Sequence, residues 1–447
     1  MEYKFSNRLK MGAIVLMVLG ALGVGYGFIT SHKSLDEVKT MLVEEASHHG
    51  GGHGAAAEHH APADAHADDH ADDAHGEEAH HGDEHAEHVM HQIHNRPYAA
   101  LYIAAFFFMM IALGALAFYA VQYASQAGWS PLLFRVMEGI TSYLLPGALI
   151  VLAIAFVGDK HIFIWMDPEV VAHDTLIQGK SGWLNKTGFI IRGLIFIAGW
   201  VLYRTFARKF SLAQDEASDN SNFKKTFRIS AAFLVFFLYT ESMMSWDWIM
   251  SVDPHWFSTL FGWYVLAGMM VCGITVIAMV TMYLKSKGLL EQVNDSHIHD
   301  LAKFMFGFSI FWTYLWFSQF MLIWYANIPE EVTYFITRIE DYKLPFFGML
   351  AMNFIFPFLV LMNSDYKRIN WFVVMAGIVI LLGHYVDIFN MIMPATVEDR
   401  WFFGIPELGA VCLFAGLFLF IVFTALTKAP LVGKRNPLIK ESEHFHY

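Results

Sequence analysis

The stretch Phe227–Phe257, FRISAAFLVFFLYTESMMSWDWIMSVDPHWF, decides the fold. It opens as an apolar run, Ile229–Tyr239, that can enter a bilayer without crossing it alone. A carboxylate, Glu241, follows inside the span, and then come Trp246, Asp247 and Trp248. Tryptophans beside an acid mark a membrane–water boundary, where amphipathic rings settle. Glu241 precedes Asp247 by six residues. At about 1.5 Å per residue it therefore sits roughly 9 Å below that boundary. An ionisable group at such depth is costly and signals a functional site or a structural ion pair.

Composition extends this to the whole chain. Hydrophobic residues make up 56% of it, charged residues 16%, and the mean hydropathy is +0.42. A soluble domain carries nearer a quarter charged residues, so the expectation is an all-α polytopic membrane protein. Besides the N-terminal run Met11–Ile29, spans are expected at Tyr98–Ala124, Met137–Val157, Gly188–Phe206, Phe227–Trp246 and Phe257–Leu284. Four more follow at Leu301–Ile328, Pro345–Met362, Trp371–Met391 and Pro406–Thr427. That makes ten. The first run lacks a clear cleavage site and reads as a retained helix, residues 1–30, with Gly20, Gly23 and Gly27 available for close helix packing. A nine-helix domain, 97–427, and a tail, 428–447, complete the division.

Residues 31–96 form an unusual insert. Between Ala46 and Arg96 there are fourteen histidines and eleven acids, and no Lys or Arg before Arg96. Such a segment buries no core and is expected to be a solvated loop, disordered in part. Its imidazoles, His48–His94, are weak metal candidates only, because no fixed ligand spacing recurs.

Lys and Arg set the expected orientation. Nineteen lie on the face of the N-terminus and its topological equivalents, nine lie opposite, and Arg192 lies within a span. The positive-inside rule then puts both termini in the cytoplasm and the His-rich insert outside. On that topology Arg192 is roughly 6 Å deep and His384 roughly 10 Å deep. Asp387, Asp159 and His161 join them on the outer side, as do Asp247 and Asp253 in the connecting loop. The inner half carries far less: Glu138, Lys303 and Asn363. The expected site is therefore an outer polar layer of Glu241, Arg192, His384 and Asp387, able to move protons or face a quinone. The plainer alternative is an Arg192–Glu241 ion pair that locks two helices. His384 and Asp387, at i and i+3, share a helix face.

The cysteines Cys272 and Cys412 have no partner at ligand spacing, and His384 is the one histidine deep in a span. No iron–sulfur, haem c or two-histidine haem b site is therefore expected within this chain. Nucleic acid is not an expected partner.

Three stretches carry a resemblance: KFSNRLKMGAIVLMVLG (4–20), SVDPHWFSTLFGWYV (251–265) and HDLAKFMFGFSIFWTYLWFSQFMLIWYANIPEE (299–331). Together with the His-rich first loop, they resemble the NrfD-like, polysulfide-reductase-like membrane subunits of the bacterial alternative complex III. The likeness spans essentially the whole chain and is strongest to the second of two such subunits. It implies ten helices, two four-helix bundles with two flanking helices, and a bacterial inner-membrane location. It also implies a role in a respiratory quinol:cytochrome c oxidoreductase with quinol or menaquinol as substrate. Expected partners are an iron–sulfur protein, haem c subunits, a sister NrfD-like subunit, membrane lipid and a terminal oxidase. In that family quinol is oxidised mainly in the sister subunit, which leaves this chain a quinone-proximal, proton-transfer or scaffold role. No short family motif assigns roles residue by residue. The alternatives are a secondary metal-ion transporter fed by the His-rich loop, and a structural anchor for peripheral subunits.

Overall fold

The computed structural model describes residues 3–49 and 74–446, with side chains described for 3–47 and 83–446. Among the described residues there is no strand. Among the described residues ten helices are long and apolar enough to cross a membrane, matching the ten expected spans one for one. In chain order the elements used below are α1 (Asn7–Ser31), α2 (Leu35–His49), α3 (Ala74–Ala124), α4 (Pro131–Val157), α5 (Lys186–Glu216) and α6 (Ser221–Trp248). They continue with α7 (Phe261–Ser286), α8 (Asp295–Ala326), α9 (Pro329–Glu340), α10 (Lys343–Leu361), α11 (Asn370–Val397) and α12 (Ile405–Leu426). All but α2 and α9 are candidate spans. The chain is therefore a multi-pass, all-α membrane protein.

The centre is built from α3 and α7, whose apolar windows are almost wholly buried. They approach closely because glycines sit at the crossing. A Cβ on Gly114 would meet the Met269 carbonyl oxygen at 2.1 Å, and one on Gly273 would meet the Ala115 nitrogen at 2.5 Å. Backbone contact of this kind supplies packing where lipid removes the hydrophobic drive between helices. The same device docks the peripheral α1 on α12. Cβ atoms added at Gly20 and Gly23 would strike the backbone of Leu413 and Gly409 at 2.2 and 2.9 Å. Tyr3 and Phe5 then pack on Phe423 at the far end of α12, so the two helices run antiparallel.

The insert 31–96 departs from the expected loop. Its flanks are helical: α2 covers Leu35–His49, and α3 starts at Ala74 and runs unbroken through Pro97 into the membrane. Val38 packs against Ala86 and Val89 as a small separate apolar cluster, and Arg400 reaches Glu45 at 2.8 Å. Alanine and glutamate favour helix, and that small apolar seam is enough to pair the two arms. The expected disorder falls largely on 50–73, outside the described residues, and the metal candidates from His48 to His81 lie where no side chain is described.

Two backbone irregularities bear on the site described below. Pro357 lacks the N–H that would bond Asn353, and just before it α10 contains a π-turn, Ala351–Ile355, in which Phe356 N–H bonds the Ala351 carbonyl. Pro394 likewise leaves the Asn390 carbonyl without its helical donor, and the Arg338 Nε–H of α9 donates to it at 2.9 Å.

Candidate functional site

Asp387 is the centre of one buried polar cluster. Its Oδ1 accepts from the Tyr264 hydroxyl of α7, and its Oδ2 accepts from the Trp312 indole N–H of α8 at 2.8 Å. His384, one turn earlier on α11, places Nδ1 3.5 Å from Oδ2, and its ring meets Trp312 edge-on at 5.3 Å. All four residues are buried. Three helices thus converge on one carboxyl. The i, i+3 spacing made His384 and Asp387 legible as a pair, but it could not name their partners.

The surroundings hold further polar groups without partners in the protein. Among the described residues neither ring nitrogen of His384 finds a hydrogen-bond partner, and neither amide atom of Asn353 does. Asn353 lies in the π-turn and presses against Gly383, where a Cβ would stand 2.1 Å from its Oδ1. Gly268 gives His384 similar clearance, with 3.3 Å from a built Cβ to Nδ1. A buried polar group without a protein partner calls for a physical explanation. The π-turn beside these groups is of a kind frequent at functional sites.

A second site lies at the α6–α7 connection. Asp247, fully buried, accepts from Arg192 Nε at 2.6 Å and Nη2 at 3.1 Å, and from the Trp183 indole at 2.7 Å. The guanidinium also lies over the Trp183 ring. This corrects the expected Arg192–Glu241 pair. Glu241 is buried but reaches only Ser242, at 3.5 Å, and its Oε1 has no partner in the protein. Arg192, Glu241 and His384 therefore do not form one network: Arg192 belongs with Asp247, His384 with Asp387, and Glu241 stands alone. In front of the Asp247 pair is an aromatic cleft of about 350 Å³, lined by Trp183, Trp246, Trp256 and Phe257 with Lys180, Ser251 and Asp253. Burial pulls the Lys180 ammonium below its usual value, and its Nζ donates to the Pro254 carbonyl at 2.5 Å. On the far side of the cleft wall Trp256 stacks on Tyr334, and the Arg338 guanidinium covers the Tyr334 ring.

Asp159 and His161 sit apart from both sites. Asp159 pairs with Lys186; burial alone would raise its carboxyl, but that hydrogen bond and the Lys160 amide hold it below its usual range. His161 donates its Nδ1–H to Asn95 Oδ1 at 2.9 Å and stacks on Tyr98. Burial lowers its pKa below 6.5.

The expected outer bias of charge is also corrected. At the opposite end of the bundle, Glu138 is buried among Arg208 at 2.8 Å, Arg135 at 3.2 Å and the Tyr119 hydroxyl at 3.1 Å. Arg135 bridges on to Asp215 at 2.7 Å. Sequence depth marked Glu138 but missed that α3 and α5 both send polar groups to it, beside Arg135 of its own helix. Arg96 and Glu407 form a further pair, 2.8 Å apart, beside Phe402. Among the described residues no group of three or more His, Cys, Asp or Glu is placed to hold a metal.

A scan against protein-family models finds no match, and a search of curated proteins finds none either.

Proposed function

We propose that this chain is an integral subunit of a quinol-oxidising respiratory complex of the alternative complex III type, carrying protons rather than electrons. The observation that supports this best is the buried assembly of Tyr264, Trp312, His384 and Asp387. Its carboxyl and imidazole are proton carriers, and the two fixed donors hold that carboxyl in place. The aromatic cleft at Trp183, Trp246 and Trp256 suits a flat quinol head, with Lys180 and Asp253 as its polar contacts. Electrons pass to iron–sulfur and haem c centres of partner subunits, and the chain holds no redox cofactor of its own. Both termini lie in the cytoplasm of a bacterial inner membrane, and the spans group as two four-helix bundles with two flanking helices.

One observation favours a transporter instead: a span broken by a π-turn and Pro357, next to unpartnered Asn353 and His384. The large cleft along α11 and α12 speaks against it, because its walls are nearly all apolar and suit a lipid-soluble guest. Purification from native membranes separates the two. Co-purification with haem c and iron–sulfur subunits and quinol oxidation by the assembly are expected. A chain that purifies alone and moves metal ions into vesicles would overturn the proposal.

A further inference from the structure

Outside both sites, a groove of about 720 Å³ runs along α12. Its walls include Phe108 of α3, Val276 and Val280 of α7, Leu382 of α11, and Ala415 and Leu419 of α12. From Leu408 to Phe423 it follows fifteen residues of helix, roughly 22 Å at the ordinary rise. Leu382 and Leu408 remain 57% and 63% exposed there, so the chain itself does not cover the groove.

At the Phe423 end the groove meets a second cavity, of about 710 Å³ and opposite character. Tyr3, Lys4, Ser6, Arg8 and Lys287 line it. The two spaces share Leu9 and Tyr283 in their walls, so they adjoin. The three cations make no ion pair with a described carboxylate, whereas neighbouring Lys285 is engaged by Asp295 at 3.1 Å. Tyr3 is buried at 4% exposure, and its hydroxyl, beside that of Tyr283, makes no hydrogen bond of ordinary geometry. Ser6 caps α1 here by accepting from the Leu9 N–H, so the positive end of the helix dipole faces the same space.

We propose that these two cavities form one binding site for an anionic phospholipid. Its acyl chains lie in the α12 groove, and its phosphate sits among Lys4, Arg8, Lys287 and the Tyr3 hydroxyl. An apolar slot alone would accept any lipid or an isoprenoid tail. The unpaired cations at its mouth select a negative head, as basic pockets between membrane helices do. Because the site adjoins the α1–α12 seam, the lipid also fastens the peripheral α1 to the bundle.

The test is native mass spectrometry of the full chain after exchange into phosphatidylglycerol or phosphatidylcholine of matched acyl length. One phosphatidylglycerol should be retained per chain and preferred at least about tenfold, with each cation contributing roughly fivefold. Lys4→Gln, Arg8→Gln and Lys287→Gln together should abolish the preference while the neutral lipid still binds. Ala415→Trp, which fills the groove, should weaken both lipids. The charge variants lie on an exposed rim and keep the test independent of how well Ala415→Trp folds. Equal retention of the two lipids by the unmodified chain would overturn the proposal. So would displacement of the phospholipid by inorganic phosphate alone, or its replacement by menaquinone from a mixed vesicle.

Discussion

At the scale of single residues, Asp247 and Glu241 show what depth reveals and what it leaves open. Both were legible as costly carboxylates near one boundary, and Arg192 as a cation at matching depth. Which acid meets the arginine was not legible. Six residues along a helix leave the two side chains about 120° apart around the axis, and the sequence does not say which face α5 covers. The outcome makes opposite predictions for the two acids. Asp247→Asn strands a largely buried guanidinium and should lower stability by roughly 3–5 kcal/mol, with Arg192→Gln in the same chain restoring folded yield. Glu241→Gln frees no cation and should leave thermal unfolding nearly unchanged. Equal losses in the two single variants would contradict the assigned pairing. His161 carries a pH dependence. Its folded pKa lies below 6.5 because burial disfavours the imidazolium, so the unfolded chain binds the proton more readily. Stability should therefore fall as the pH drops through 6.5, and His161→Gln should flatten the melting temperature measured between pH 7 and pH 5.

The elements were easier to read than their contacts. Ten apolar runs of bilayer length announce ten spans whatever their neighbours, and boundaries moved by only a few residues at most ends. The largest exceptions are the end of α5, which runs on from Phe206 to Glu216, and the start of α3, where helix continues from the membrane into a stretch that composition marked as loop. Its histidines and acids are polar but not helix-breaking, and pairing with α2 was invisible because the apolar seam is so short. The π-turn in α10 was equally hidden, because its form depends on Asn353 seating against Gly383. The glycines of α1 offer a contrast within one helix. A Cβ at Gly20 collides with the α12 backbone, whereas one at Gly12 or Gly25 meets nothing within 4 Å. Gly20→Leu should cost at least about 1–3 kcal/mol and reduce folded yield, while Gly12→Leu and Gly25→Leu should be tolerated. Uniform tolerance across the three, read by melting temperature and monodispersity, would show that α1 does not dock as described.

For the whole molecule, orientation and the proposed chemistry are linked, because on that proposal the side on which the aromatic cleft opens decides where protons from quinol emerge. Ser181 and Ser218 are exposed beyond opposite ends of α5. In a background with Cys412→Ser, an impermeant thiol reagent added to intact cells should label Ser181→Cys and spare Ser218→Cys; the reverse would invert the topology. The Asp387 assembly tests the proton role itself. An asparagine there can still accept from the Trp312 indole and donate to the Tyr264 oxygen, so the fold should survive while the titrating group is lost. In the Asp387→Asn complex, reconstituted in vesicles, assembly should be normal and quinol oxidation with its proton release should fall by about 10²–10⁴-fold. A fully assembled variant complex that oxidises quinol and releases protons at the unmodified rate would contradict the account.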